Sequence, residues 1–466
     1  MHRMTAAIVI ALSLLASTAR AQIDPKTARE LYDRISPSLV VVQYTWDGEL
    51  GRQELTSAGI VISNDGMVMI SEAITPTGMP DAQMVDFKII LPGDDETELD
   101  AVFQGRDDRS MLSFVKAKEK REWKPLKFED AELQIGDPVY SVGLLPKDAG
   151  YKSYLMASRV AALLRGPVPQ VLVSGDGLAT VGSPVINADG KVVGYVHAQG
   201  GASPLLGSGG GRGRGGTDSF ASVMTPPKLF VPARDFISSL SDPPTPEVPI
   251  KIPHIGVSNL SGLQKAEAEY FNLKGQPAVQ VGDVIAGFPA DKAGLKPRDI
   301  IVKMNGEALE RGDEPDETPS IMTRKIQRMK PGDTVTLSVL TAKDQPLKDV
   351  KVVLEERPAQ RNTAKRFFAE DLGFASRDLV FSDAYERKLP SNTKGVVVDL
   401  IKPQSSAYSQ LRERDLIMRL NQTEVTDIEQ FKANYEAFRK ERPRDAVVLE
   451  VLRGVNTQIV RIEPPQ

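Results

Sequence analysis

The sequence predicts a mainly β protein, with one large all-β domain followed by two copies of a smaller α+β domain. Three observations carry this reading. Short β-branched runs punctuated by Asn/Asp-Gly turns fill residues 39 to 237. A Pro-rich stretch, DPPTPEVPIKIP, follows at 242–253. Beyond it, Arg298-Asp-Ile-Ile-Val-Lys-Met-Asn305 pairs with Arg414-Asp-Leu-Ile-Met-Arg-Leu-Asn421 at a constant offset of 116 residues. A chain of 466 residues, at about 150 residues per domain, has room for about three domains.

In chain order, residues 1–21 read as a secretory leader. A basic start (Arg3) precedes an apolar run from Ala6 to Leu15, and Ala19-Arg20-Ala21 is a small-residue exit, the pattern cleaved after Ala21. The run is too short to cross a bilayer, which takes about 20 apolar residues, so membrane contact is expected only if the leader is retained. The predicted localisation is export to a periplasm or the exterior. A polar helix is expected at Pro25–Ile35. Strands are expected at 39–44, 59–62, 67–70, 87–91 and 191–196, with Asn64-Asp65-Gly66 and Asn187-Ala188-Asp189-Gly190 as turns. Many short strands at such spacing give a barrel or sandwich. The first domain then spans 28–237, with a low-complexity Gly-rich insertion at 200–216 that reads as a surface loop. The prolines of the 238–253 linker favour extended geometry and a semi-rigid spacer. The repeats occupy 254–356 and 366–462, separated by a polar boundary from Glu355 to Lys365. Each carries an amphipathic helix (319–329 and 427–440) and a closing strand (334–340 and 446–452).

Composition narrows the chemistry. The chain has no Cys, which removes thiol catalysis, disulfides and thiolate metal sites. Of three His, His2 lies in the leader, leaving His197 and His254. Both read as surface or satisfied structural residues rather than a base. A net charge of −4 without basic stretches gives no footprint for nucleic acid. No cofactor is expected, and no metal either: Asp94-Asp95-Glu96 reads as a solvated turn, since the twelve-residue calcium-loop pattern is absent.

The repeats resemble PDZ domains of the bacterial, protease-associated type. The residues that carry this are Ile255-Gly256-Val257 and Leu372-Gly373-Phe374, Ala290-Asp-Lys-Ala-Gly-Leu295, and the Arg-Asp-Ile-Ile strand ending in Asn305-Gly306. The resemblance implies protein or peptide ligands. The Gly loops at Ile255, Gly256, Val257 and at Leu372, Gly373, Phe374 would face a terminal carboxylate, and the peptide would add a strand beside them. The second copy departs from the pattern, with Ser409-Gln410 in place of Ala293-Gly294.

The first domain resembles the trypsin-like double β-barrel of HtrA/Deg serine proteases. Matching segments are Ser57-Ala-Gly-Ile-Val-Ile62, Gly105-Arg-Asp-Asp-Arg-Ser110, Ile135-Gly-Asp-Pro-Val139 and Gly182-Ser-Pro-Val-Ile-Asn187. Carried onto this sequence, the family's catalytic base falls on Ala73, its orienting carboxylate on Met111 and its nucleophile on Val181. The oxyanion-loop Gly falls on Ala179. Acyl transfer by this template needs a hydroxyl, a base and a carboxylate, and loss of such a unit costs about 10⁶ in turnover. The expectation is a pseudoprotease, an exported scaffold, adaptor or chaperone-like regulator. Homo-oligomers or mixed assemblies with an active protease are implied by the resemblance. Two alternatives stay open. One is a divergent peptidase using Ser183 or Ser174, for instance as a Ser–Lys dyad with Lys191. The other is a structural envelope protein whose PDZ grooves are filled internally.

Overall fold

The computed structural model describes residues 24–93, 97–197, 226–390 and 392–465. The leader, Asp94-Asp95-Glu96 and the Gly-rich run at 200–216 therefore lie outside the described residues. Helix α1, Pro25–Ile35, begins with Asp24 accepting the Thr27 N–H at 3.0 Å and Pro25 in the first turn, a position where a missing N–H costs nothing. It buries Leu31 and Ile35.

Two closed barrels follow. The first has the strand order β1-β2-β3-β6-β5-β4. Its strands are β1 (Leu39–Gly48), β2 (Gly51–Val61), β3 (Met67–Ser71), β4 (Met84–Leu91), β5 (Thr97–Asp107) and β6 (Leu112–Ala117). The second has the order β10-β11-β12-β9-β8-β7. It comprises β7 (Pro138–Leu144), β8 (Ser153–Leu164), β9 (Gln170–Gly175), β10 (Pro184–Asn187), β11 (Val192–Val196) and β12 (Leu229–Pro232). The strands were legible as apolar runs because several are buried on both faces. Along β1, Val40, Val42 and Tyr44 point into the first barrel, whereas Leu39 and Val41 join a cluster shared by both barrels. Successive strand residues point to opposite faces, so the one run over residues 39–44 serves two cores. At the β2–β3 turn, Gly66 has φ +81°, and an added Cβ would sit 2.7 Å from the Trp123 indole nitrogen. Only Gly fits.

The linker is not a free spacer. Pro244 is buried, and its ring lies close enough to Gly105 that a Cβ there would come within 3.1 Å. The segment packs on the first barrel because proline rings cover apolar surface without needing ladder partners.

The first repeat unit contains β13 (Pro253–His254), β14 (Val257–Ser258), β15 (Ser261–Gly262), β16 (Val279–Gln280), β17 (Asp283–Val284), β18 (Ile300–Met304), β19 (Glu307–Ala308), β20 (Thr334–Leu340), β21 (Lys348–Val353) and β22 (Glu355–Glu356). Its main sheet runs β15-β16-β18-β20-β21, and β14 pairs with β17. Helix α2, Glu317–Gln327, buries Ile321, Met322 and Ile326.

The second unit contains β23 (Arg366–Ala369), β24 (Phe374–Asp378), β25 (Val396–Ile401), β26 (Leu416–Leu420), β27 (Thr423–Glu424), β28 (Val447–Arg453) and β29 (Asn456–Ile462), in the sheet order β23-β24-β25-β26-β28-β29. A short helix α3, Phe381–Glu386, follows β24. Helix α4, Ile428–Glu441, is capped by Asp427, which accepts the Gln430 N–H at 2.9 Å. The 116-residue offset superposes β18 on β26.

Candidate functional site

Of the three positions that the resemblance assigns to catalysis, Ala73 and Met111 lie on segments linked by a hydrogen bond, and Val181 lies beside a crevice lined by residues of both barrels. Ser71, the last residue of β3, accepts the N–H of Ala73 through its hydroxyl at 3.3 Å. The N–H of the intervening Glu72 donates to the carbonyl of Met111 at 3.1 Å, which brings the first two segments together. Met111 has φ 56°, immediately before β6. Gly182 rests on Ala58 of β2, where a Cβ would be 2.8 Å from the Ala58 carbonyl oxygen. Gly59, beside Ala58, pairs with Ile70 of β3 in the first barrel. The neighbouring Val181 lines a crevice of only about 30 Å³ with Thr56, Ser57, Ala58 and Tyr151. Ala73, Met111 and Val181 are each half-buried, and none of these side chains can give or take a proton.

The surrounding polar groups are engaged elsewhere. The Ala179 N–H donates to the Ser141 hydroxyl at 2.7 Å. The Ser183 hydroxyl is buried 3.2 Å from that of Thr180, and Thr75 donates to the buried Ser113 hydroxyl at 2.7 Å. Lys191, considered above as a base for Ser183, lies 3.5 Å from Glu129 instead. Ser174 is exposed, 3.5 Å from the Arg159 carbonyl oxygen.

The two histidines correct the expectation of surface or satisfied residues. His197 sits at the end of β11 against Tyr195, with centroids 6.1 Å apart, and its Nδ1 is buried without a partner among the described residues. Both ring nitrogens of His254 are likewise buried and unpartnered, with the ring 5.2 Å from Phe288. Burial, helped by Arg324 near His197, pushes both imidazoles below their usual pKa, so both are neutral at pH 7. A one-dimensional reading missed one more titratable group. Glu72, beside Ala73, is pushed up to about 7, first by burial and then by the charge of Asp108, with Arg106 opposing. Its position directly before Ala73 was the only signal available in the sequence. Among the described residues, no group of three or more His, Asp or Glu is arranged to hold a metal, and no helix is long and apolar enough to cross a membrane.

The two Gly loops differ sharply. In the first unit, Gly256 has φ +77°, and a Cβ there would lie 2.3 Å from that of Phe288. Its N–H donates no backbone hydrogen bond among the described residues. Among the described residues, strand β14 pairs only with β17. The other edge faces α2 across a groove in which Val257 and Leu260 lie opposite Thr323 and Gln327. That groove is about 320 Å³ at the Gly256 end and about 450 Å³ at the other, where Met111 and Val168 of the barrel domain complete it. An extended segment with a free strand edge on one side and a helix on the other is the geometry of strand addition.

In the second unit the same place is taken. Strand β23 pairs antiparallel with β24, Arg366 opposite Arg377 and Ala369 opposite Phe374, while β25 covers the other edge. Phe367 of β23 packs on Phe431 and Tyr435 of α4 at 6.1 and 5.7 Å. The N–H groups of Leu372 and Gly373 both donate to the Ala369 carbonyl, at 3.2 and 2.8 Å. Leu372 and Phe374 are fully buried, and a Cβ on Gly373 would meet that of Ser405 at 2.4 Å. The expectation that Leu372, Gly373 and Phe374 face a ligand is corrected for this arrangement: the hairpin ahead of the loop fills the space with the chain's own strand.

The first unit is also clamped to the barrels. Arg324 of α2 and Arg328, the residue that caps its C-terminus, reach Asp235, whose side chain is 3% exposed, at 2.6 and 2.7 Å. Arg324 also donates to the carbonyls of Arg109 at 2.6 Å and Pro167 at 3.2 Å. The second unit touches the first barrel through Arg366, 2.6 Å from Glu49, and through Asn362, which donates to the Thr77 carbonyl.

Comparison with known proteins agrees with this architecture. Residues 57–194 match the trypsin-like peptidase domain, and residues 254–354 match the PDZ domain. In domain content and order the chain is similar to the HtrA/DegP family. It is 26% identical over 449 residues to a probable periplasmic serine endoprotease DegP-like of Bartonella henselae, covering 94% of this chain and 80% of that protein. A protein of the same description from Hahella chejuensis is 25% identical over 477 residues, covering 92% of each. The solved structure of the HtrA-type protease AlgW with a tripeptide shares the fold, with a TM-score of 0.52 at 15% identity over 72% of this chain and 98% of that one. The trypsin-like double barrel and a C-terminal PDZ domain are thus features of this chain.

Proposed function

We propose that this HtrA-like chain is a non-catalytic protein that captures peptide C-termini or exposed protein segments and acts as a scaffold, adaptor or chaperone-like regulator. The sequence resemblance supports this reading, because it puts Ala73, Met111 and Val181 at the positions where the family transfers protons. Hydrolysis by this template needs a hydroxyl whose proton is removed by a base held in the right tautomer. The nearby hydroxyls of Ser183, Thr180, Ser113 and Thr75 bond to one another in pairs instead of to an imidazole or ammonium. Binding falls to the first PDZ groove, where a strand edge and the Gly256 N–H are unspent. The relatives' description as periplasmic, with the leader pattern ending at Ala21, supports export to a periplasm and work in envelope protein quality control. Homo-oligomers or mixed assembly with an active relative are part of this proposal.

Purified full-length protein incubated with a fluorophosphonate probe and with casein tests it. The expected result is neither labelling nor cleavage. Labelling that disappears in Ser183→Ala or Ser174→Ala establishes the rival, a peptidase with a relocated nucleophile. Capture of unfolded client in a pull-down, lost with Gly256→Glu, supports the binding role.

A further inference from the structure

The Gly256 end of the first groove is not built by the first PDZ unit alone. Its walls include Phe288 and Ile326 of that unit, Arg357 of the connecting segment, and Phe381 and Ser382 from α3 of the second unit. The rings form a continuous chain. His254 lies 5.2 Å from Phe288, Phe288 lies 4.7 Å from Phe381, and Phe381 stacks on Tyr385 at 5.6 Å. The pocket is predominantly apolar, yet it holds one full cation, Arg357, and the two unpartnered ring nitrogens of His254; no carboxylate lines it. Arg357 is only loosely engaged, 3.7 Å from Asp108 with about a third of each side chain exposed. An apolar cup with convergent donors at one end fits a ligand with a large apolar group next to a negative charge. The second unit has no room for a ligand strand of its own, because β23 occupies it.

We infer that the two repeats make a single peptide site between them. The first supplies the strand edge and Gly loop, while the second supplies Phe381 as the wall of a pocket for a large apolar C-terminal side chain, with Arg357 set beside the terminal carboxylate. This rests on the peptide-binding reading above. It assigns the second unit a role in selectivity rather than a binding site of its own. Aromatic side chains at the ligand's last position gain ring contacts with Phe288 and Phe381. A charged last residue is excluded, because burying it beside these rings leaves its charge unpaired.

The test selects decapeptides with free C-termini from a random library on the full-length protein, then resynthesises the tightest as a fluorescein-labelled acid and as its C-terminal amide. Fluorescence anisotropy and isothermal titration calorimetry are expected to show one peptide per chain. Phe381→Ala should weaken the acid at least tenfold and flatten the preference for aromatic over small last residues. Ser382→Trp, which fills the pocket instead of emptying it, should weaken binding by a similar factor. Arg357→Gln should weaken the acid about tenfold and leave the amide within twofold. Near-ultraviolet circular dichroism of each variant confirms an unchanged fold. If Phe381→Ala and Ser382→Trp both leave affinity and preference within twofold while Gly256→Glu abolishes binding, the shared pocket is overturned and the first-groove reading stands. Two peptides per chain also overturn it. No binding by the wild-type chain overturns both.

Discussion

The two repeat units share a sheet plan and a Gly loop, yet one leaves its ligand edge open and the other fills it. The difference begins in the few residues ahead of the loop. Before Gly373 the chain runs Arg366-Phe-Phe-Ala369 and folds back as β23, with every residue able to enter a ladder. Before Gly256, at the equivalent distance, it runs Pro249-Ile-Lys-Ile-Pro253. Proline cannot donate to a strand ladder, and the segment instead pairs briefly with β22. Duplication thus preserved a framework while a change of backbone donors decided whether its groove stays available. The units also differ inside. Arg377 and Asp383 form a buried pair at 2.6 Å in the second unit, where the aligned positions of the first hold Ser261 and Glu267.

The largest test of this contrast is Asp235→Ala. It strands Arg324 in a mostly buried site, and removing one partner of such a pair costs about 3–5 kcal/mol. The expected outcome is loss of docking of the first unit alone, read as new protease sensitivity around residues 238–253 while the second unit's amide protection persists. Protection lost equally in both units would break the idea that they are held separately.

A paired substitution comes next. Gly373→Glu forces a side chain at φ +72° against Ser405 and Lys402, for a loss of about 3 kcal/mol, and peptide binding should survive. Gly256→Glu meets Phe288 with a similar stability cost, but binding should disappear. Equal binding loss in both variants would show that the second groove is used after all.

Acid provides a smaller test. Burial works against the Asp383 carboxylate, but hydrogen bonds and charge from Arg377, together with Arg361, outweigh it and hold its carboxyl below the usual range. A depressed folded-state pKa contributes stability that is complete above the unfolded value, about 3.9 for Asp, and is lost as pH falls through the folded one. The second unit should therefore open before the first on acidification, measured by hydrogen exchange from pH 5 downward. Asp383→Asn should remove that ordering. The smallest effect is expected for Lys365→Ala. Its partner Glu429 and the lysine itself are both about two-thirds exposed, and such pairs contribute about 0.5 kcal/mol or less.

Much of the fold was legible because period and punctuation agree. The residues of α1, the strand at 334–340 and the turns at Gly66 and Gly190 all follow from local chemistry, and the internal repeat exposed the duplicated units. The filled groove was not legible from Leu372-Gly373-Phe374, since an apolar-Gly-apolar tripeptide reads the same whether or not a hairpin precedes it. The signal lay just upstream in Phe367 and Phe368, followed by the turn formers Glu370 and Asp371. The clamp on Asp235 was invisible for another reason. Arg324 and Arg328, four apart at the end of a helix, look like a solvated face until tertiary structure places a buried carboxylate beneath them. Phe381 belongs to one repeat and lines the pocket of the other, and no periodicity within either segment encodes that.

In the proposed binding role, the clamp between α2 and Asp235 sets how a captured tail meets the rest of the molecule. Because Arg324 also grips the Arg109 and Pro167 carbonyls, the groove keeps a constant bearing on the barrel and cannot sweep about on a tether. Whatever extends from the groove's far mouth arrives at the patch holding Met111 and Val168. Delivery is decided by this rigid aim, and lengthening the proline-rich connection would leave the landing point where it is.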